Sequence, residues 1–315
     1  MKVLHITNNF PTKKHPIFGI FVKEQIDSLT ILGIDNNVFF INGKEKGSKE
    51  YFKCYFKLII HLFKHKYDII HCHHSLSALI FVLTLGPIFN KCIMSFQSDP
   101  SKELKGIFFK IFYYSFNKLI LKNKSEVYMK YGKCINFPNG VNIDFFKPLN
   151  KKECLKKLNL EVNKKYVLFF DSNFGKRNEK RFDIFKKTIY LLKSKGYNDL
   201  EEIVLTNTKR ELIPYYMNVA ELHLLCSDFE GSPNSVKECM ACNTKVVATN
   251  VGDVNDLFLG TEGFFISKTN DINELSNLVE LSLSTKNVNG RDALIEKKLD
   301  LNSVAKKLKD IYLQL

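Results

Sequence analysis

Glu230-Gly231-Ser232-Pro233-Asn234-Ser235-Val236-Lys237-Glu238 comes shortly after an apolar run, Leu222–Cys226. The run reads as a buried strand. The stretch from Glu230 reads as a helix start. Ser232 stands where an N-cap belongs and Pro233 where N1 belongs, since proline lacks the N–H that would be orphaned there. A helix opening after a strand of a parallel sheet presents free N–H groups and a positive dipole end, which suits a phosphate. Gly231 lets the backbone approach a ligand closely. Glu230 precedes the helix and Glu238 lies in its second turn, so carboxylates flank the place a phosphate would take. Carboxylate oxygens accept from hydroxyls and suit a sugar or a ribose diol. A capped surface helix with two solvated glutamates is the plain alternative.

Outward from this stretch, strands and helices alternate. Lys2–Thr7, Asn37–Asn42, Asp68–His73 and Lys91–Phe96 read as buried strands, with helical patterns over Phe21–Leu32, Tyr51–Lys66 and Ser75–Leu85 between them. The pattern breaks at Phe137-Pro138-Asn139-Gly140 and at Lys147-Pro148-Leu149-Asn150. It resumes with strands at Tyr166–Phe170, Glu202–Leu205, Lys245–Thr249 and Gly263–Ser267, and helices at Arg181–Lys195, Asp271–Leu283 and Asn302–Leu315. Alternation of this kind implies parallel sheets covered on both faces. The expectation is an α/β protein of two domains, 1–150 and 151–315, facing each other across a cleft. The last helix is a candidate to pack back on the first domain.

Composition is that of an ordinary globular protein, with 45% hydrophobic and 25% charged residues in 315. The chain opens without a signal-peptide pattern, and its longest apolar run, Leu76–Phe89, is too short to cross a bilayer. The eight cysteines are scattered. The lone CxxC at Cys239 and Cys242 has no second pair to complete a zinc site, so the cysteines read as packing residues in a reducing cytoplasm. Residues 1–150 hold 21 basic and 10 acidic side chains, a net +11 out of the chain's +14. Such asymmetry points the first half at an anionic partner: a membrane surface, a nucleic acid or a phosphate-bearing substrate.

The segment Glu230–Asp253, EGSPNSVKECMACNTKVVATNVGD, resembles the E-x7-E region of retaining glycosyltransferases of family 4, which have the GT-B fold of two Rossmann-like domains. The resemblance implies that Glu230 contacts the donor sugar and Glu238 the ribose. The segment Gly231, Ser232, Pro233, Asn234 and Ser235 would meet sugar hydroxyls and diphosphate. Gly175-Lys176-Arg177-Asn178-Glu179-Lys180-Arg181 resembles the family's cationic loop, which assigns Arg177 and Lys180 to the leaving diphosphate, with Lys176 and Arg181 as neighbours able to substitute. Asn139, in Pro138-Asn139-Gly140-Val141-Asn142, resembles the family's hinge turn. Asn9-Phe10-Pro11 through Gly19 resembles the loop after the first strand, placing Gly19 near phosphate. His73, in Asp68-Ile69-Ile70-His71-Cys72-His73-His74, falls on the acceptor side. Gln97 and Asp99 stand where relatives carry a histidine and an acid. The glutamine is a departure that bears on donor-sugar identity.

No carboxylate or cysteine set accompanies the histidines, and no DxD-type motif stands out. Neither a metal nor any other cofactor is therefore expected. The expected substrates are a nucleotide-diphosphate sugar, UDP-linked by preference, and a glycan or lipid-linked acceptor. Two segments, Tyr51–Lys66 and Leu104–Lys124, mix aromatics with lysines and suit an anionic membrane surface, which would make the protein cytoplasmic and peripheral on the inner face. Alternatives are a sugar-nucleotide epimerase or hydrolase, a non-catalytic relative, and a nucleic-acid-binding protein. The last is disfavoured because the lysines form no recognition motif.

Overall fold

The computed structural model describes residues 1–103, 106–171 and 178–315. The chain divides into two compact units, residues 1–140 with 301–315 and residues 141–300.

In the first unit, β1 (Lys2–Thr7), β2 (Asp35–Phe40), β3 (Ile69–His73), β4 (Cys92–Ser95), β5 (Lys118–Leu121) and β6 (Cys134–Asn136) form one sheet in the order β2-β1-β3-β4-β5-β6. Every pairing is parallel. Strands β1, β3 and β4 are buried almost throughout because both faces of the sheet are covered. Leu4, Ile6, Ile70 and Cys72 enter one core layer, while Val3 and Ile69 enter the other. The second layer is closed by the final helix, Leu301–Leu313, through Val304, Ala305, Leu308 and Tyr312.

In the second unit, β7 (Lys165–Phe170), β8 (Leu200–Leu205), β9 (Ala220–Leu225), β10 (Lys245–Thr249) and β11 (Phe264–Ser267) pair in parallel in the order β11-β10-β9-β7-β8. Val167 and Phe169 face one core layer and Leu168 the other. Two Rossmann-like halves are thus present.

Three features differ from the sequence reading. The division falls after Gly140 rather than after residue 150. Val141 and Phe146 belong to the second unit's core, with Leu149 packed against a neighbouring cluster. The charged segment after Asn150 is a helix, Lys151–Leu158. The Asn150 side chain caps it, accepting from Lys152 N at 3.0 Å and Glu153 N at 3.3 Å. The Gly106–Ser115 helix is no lipid-facing surface along its length, because Phe109 and Phe112, like Phe116 just beyond it, are buried in the core.

Candidate functional site

In an open parallel sheet, ligands bind outside the carboxyl ends of the strands, where the strand order reverses. In the second unit the order reverses between β7 and β9, because β8 lies to one side of β7 and β9 to the other. The segment after β7 carries Lys180 and the segment after β9 carries Glu230. They meet there: Lys180 Nζ donates to Glu230 Oε1 at 2.5 Å. Ser227 Oγ donates to the same oxygen at 2.8 Å. Both charged side chains are 16% exposed, so the pair is poorly screened by solvent. Arg177 lies outside the described residues, as does Lys176. Arg181 is held by two carboxylates, Asp183 at 3.0 Å and Asp228 at 3.1 Å.

The helix after Glu230 runs from Asn234 to Ala241, with Pro233 rather than Ser232 as its N-cap and no side-chain cap. Ser232 has a different task. Its hydroxyl donates to Asp253 Oδ2 at 2.5 Å and accepts from Lys237 Nζ at 2.7 Å. All three residues are buried. Burial lowers the Lys237 pKa and raises that of Asp253, and the opposite charge of each counters the other's shift. The chain Lys237–Ser232–Asp253 therefore fixes the loop that precedes the helix. Gly252 adds to this. Its φ is +59°, and a Cβ there would lie 2.4 Å from the carbonyl oxygen of Gly231. The two ends of the Glu230–Asp253 stretch thus touch, Gly252 against Gly231 and Asp253 against Ser232.

Glu238 is paired as well: Arg210 Nη1 donates to its Oε1 at 3.3 Å. Arg210 follows β8, and its guanidinium lies over the rings of Phe145 and Phe146, at 5.6 and 5.1 Å from their centroids. Ser235, in the first turn, meets buried His223 of β9 at 3.2 Å. His223 Nδ1 lies 3.1 Å from the Leu168 carbonyl. That carbonyl can only accept, so the proton sits on Nδ1 and Nε2 accepts from Ser235. Burial holds the His223 pKa down at about 4. Asn234 Oδ1 and Asp253 Oδ1 are buried with no hydrogen-bond partner among the described residues. They are acceptors whose desolvation is uncompensated.

Sequence reasoning missed Arg210, Ser227 and His223. Their positions carried a signal, since each lies in a strand or at its carboxyl end in the half that holds Glu230. Their types alone carried none.

In the first unit, Gly19 sits at the N-terminus of the Ile20–Ile31 helix with φ +67°. A Cβ there would meet the backbone of Asn9 at 2.3 Å, so the loop after β1 lies directly against the helix start. His73 ends β3 and is 1% exposed. It belongs to a cluster with His71 and with His5 of β1, a third histidine that strand pairing brings in. Their candidate ligand atoms lie within 4.8 Å of one another. Hydrogen bonds account for the cluster. His5 Nε2 donates to Asn36 Oδ1 at 2.9 Å, so His5 Nδ1 accepts from His73 Nε2 at 3.0 Å. His71 bonds the hydroxyls of Tyr312, at 2.6 Å, and Ser95, at 2.7 Å. An ion would compete for the His5 and His71 lone pairs, which these hydrogen bonds engage. Burial lowers all three pKa values, that of His5 to about 4.

Gln97 follows β4. Its backbone N–H and that of Ser98 both donate to Glu103 Oε1, while Glu103 Oε2 accepts from Ser75 N at 3.0 Å. Gln97 Oε1 is buried without a partner among the described residues. Asp99 caps the short Pro100–Glu103 helix, accepting from Ser101 N at 2.8 Å. Asn139 lies in the irregular segment 137–140 just before the division between the units.

A search of curated protein sequences finds no match. Solved structures match over the whole chain. Sucrose-phosphate synthase of Thermosynechococcus elongatus is 15% identical with a TM-score of 0.79, covering 100% of this chain and 99% of its own. HepE of Anabaena, solved in complex with UDP-glucose, is 14% identical with a TM-score of 0.73, covering 100% of both chains. A glycosyltransferase of Rickettsia africae is 16% identical with a TM-score of 0.72, covering 99% and 98%. Residues 165–284, which hold Lys180, Glu230 and Glu238, match the family model described as Glycosyl transferases group 1, and the whole chain adopts the GT-B fold of these structures.

Proposed function

We propose that the protein is a retaining glycosyltransferase of family 4, moving a hexosyl group from a nucleotide-diphosphate sugar to a hydroxyl of a glycan or lipid-linked acceptor in surface polysaccharide or glycolipid synthesis. The observation that carries this reading is the meeting of Lys180 and Glu230 at the strand-order reversal, beside the helix that holds Glu238. HepE was solved with UDP-glucose, which favours a UDP-linked donor here.

In this mechanism Glu230 accepts from a donor-sugar hydroxyl and Glu238 from the ribose. Gly231, Ser232, Asn234 and Ser235 turn backbone amides toward sugar hydroxyls and diphosphate, with Pro233 fixing the helix entry. Lys180 and Arg177 stabilise the charge that develops on the leaving diphosphate. The bond between anomeric carbon and phosphate oxygen breaks as the acceptor oxygen bonds the same face. The acceptor proton passes to the departing phosphate. No resident metal or other cofactor takes part. In the first unit, Gly19 meets the donor phosphate, and His73, Gln97, Asp99 and Asn139 serve the acceptor and the transferred sugar. The enzyme works in the cytoplasm.

A thermal-shift panel of UDP-, GDP- and ADP-sugars tests donor binding, with Glu238→Ala as control. Stabilisation by one donor, lost in the variant, supports the proposal; no stabilisation by any of them overturns it. Rapid turnover of that donor without an acceptor would assign an epimerase or hydrolase instead.

A further inference from the structure

The Lys49–Lys64 helix buries Cys54 and Leu58 in the first unit's core. Its opposite side leaves four large apolar side chains in water: Phe52 69%, Phe56 49%, Ile60 54% and Phe63 89% exposed. Steps of four, four and three residues put them in one stripe along the helix. Lys49, Lys53, Lys57 and Lys64 flank the stripe and are exposed. None of them has an ion-pair partner among the described residues. The helix's one acid, Glu50, is buried and paired with Lys46 at 3.5 Å.

The helix packs against the Ser75–Leu83 helix, which packs against the short Gly86–Phe89 helix. There Leu85, Ile88 and Phe89 are 61%, 70% and 80% exposed.

We propose that this surface docks on an anionic phospholipid membrane, with Phe52, Phe56, Ile60 and Phe63 entering the headgroup–acyl boundary and the flanking lysines on lipid phosphates. Charge selects this occupant. A second copy of the chain would set lysines against lysines. A nucleic acid would satisfy the lysines but leave the apolar stripe in water. An anionic bilayer takes both, and the helix lies in a segment, residues 1–150, of net charge +11. The inference does not depend on the transfer reaction.

The test is flotation of the full chain with vesicles of phosphatidylcholine alone and of equal parts phosphatidylcholine and phosphatidylglycerol. Binding to the mixed vesicles only, weakened by salt, is expected. Phe52→Ser with Phe63→Ser should lower partitioning about tenfold or more. Lys49→Gln with Lys53→Gln and Lys57→Gln should lower it about fivefold per lysine. Both variants should keep the parent's thermal midpoint, since the changed side chains face outward. Failure to bind mixed vesicles overturns the proposal, as does unchanged partitioning of folded variants. An oligomer that the phenylalanine variant dissociates, with vesicle binding intact, would assign the face to a second copy and likewise overturn it.

Discussion

Lys180 Nζ lies 2.5 Å from Glu230 Oε1, so the cation proposed for the leaving diphosphate is held by the carboxylate proposed for the donor sugar. The two arrive from loops after different strands, and Ser227 fixes the shared oxygen from a third position. The pair therefore forms one unit, in which each side chain orients the other.

Lys180→Ala should lower kcat/KM by about 100-fold, the scale of losing one preorganised donor to a developing anion. Glu230→Gln should cost a similar factor. Because the two side chains contact each other, the double variant should lose much less than the product of the two factors. Steady-state kinetics of the three variants check this, and strict multiplication of the losses would show that the two act independently.

Glu238 and Arg210 should separate from that pair by affecting donor affinity rather than the chemical step. Glu238→Ala leaves the Arg210 guanidinium without this carboxylate and removes an acceptor for a diol. Nucleotide affinity should fall about 10- to 100-fold, on the order of 1.4–2.7 kcal/mol. Calorimetric titration with UDP measures it. An unchanged Kd would remove Glu238 from the nucleotide site.

The alternation of apolar runs made both sheets legible, because strands buried on two faces read as short apolar runs bounded by turn residues. β5 was half-hidden in the aromatic stretch that contains it, and β6, at three residues, is too short to show a period. The Glu230–Glu238 stretch was legible as a phosphate-ready helix start, but its supports were not. Ser232 looks like an N-cap by position, yet its hydroxyl is drawn away by Asp253, 21 residues further on. Lys237 looks like a surface lysine and is fully buried. His5 showed no link to His71 and His73 until strand pairing supplied it. Local pattern reveals elements, whereas partners brought in across a sheet carry no local mark.

Acid should destabilise the fold well before most carboxylates titrate. Burial holds His5 and His223 at about 4 against an ordinary 6.5, and holds His71 and His73 well below that value. Below about pH 6.5 the unfolded chain takes up protons that the folded chain refuses until about pH 4, so protons favour unfolding. Stability is full above this window and lost as pH falls through it, by about 3 kcal/mol for a histidine shifted as far as His5. Urea midpoints taken across the window check the slope, which His223→Gln should make shallower. A flat profile would contradict the burial of neutral imidazoles.

The same histidines bear on metals. The lone pairs of His5 and His71 serve hydrogen bonds, so neither added zinc nor exhaustive chelation should move the thermal midpoint or the transfer rate. A zinc-dependent rise in the midpoint, abolished by His5→Gln, would show that an ion displaces those hydrogen bonds.

Gly252 offers the sharpest test of how the donor loop is held. At φ +59° an alanine is strained by roughly 1–2 kcal/mol, and its Cβ would also press on the Gly231 carbonyl, 2.4 Å away. Backbone cannot yield as a flexible side chain can, so the Glu230–Gly231 segment must shift. Glu230 and the amides after it would move together, and misplacement by about 1 Å costs on the order of 100-fold in rate. Gly252→Ala should therefore lose far more activity than its modest fall in thermal midpoint explains. Gly260→Ala provides the control: its φ is +76° but nothing lies within 4 Å of the added Cβ, so it should show the strain without the kinetic loss. Equal kinetic losses in the two variants would mean that the contact between Gly252 and Gly231 does not position the loop.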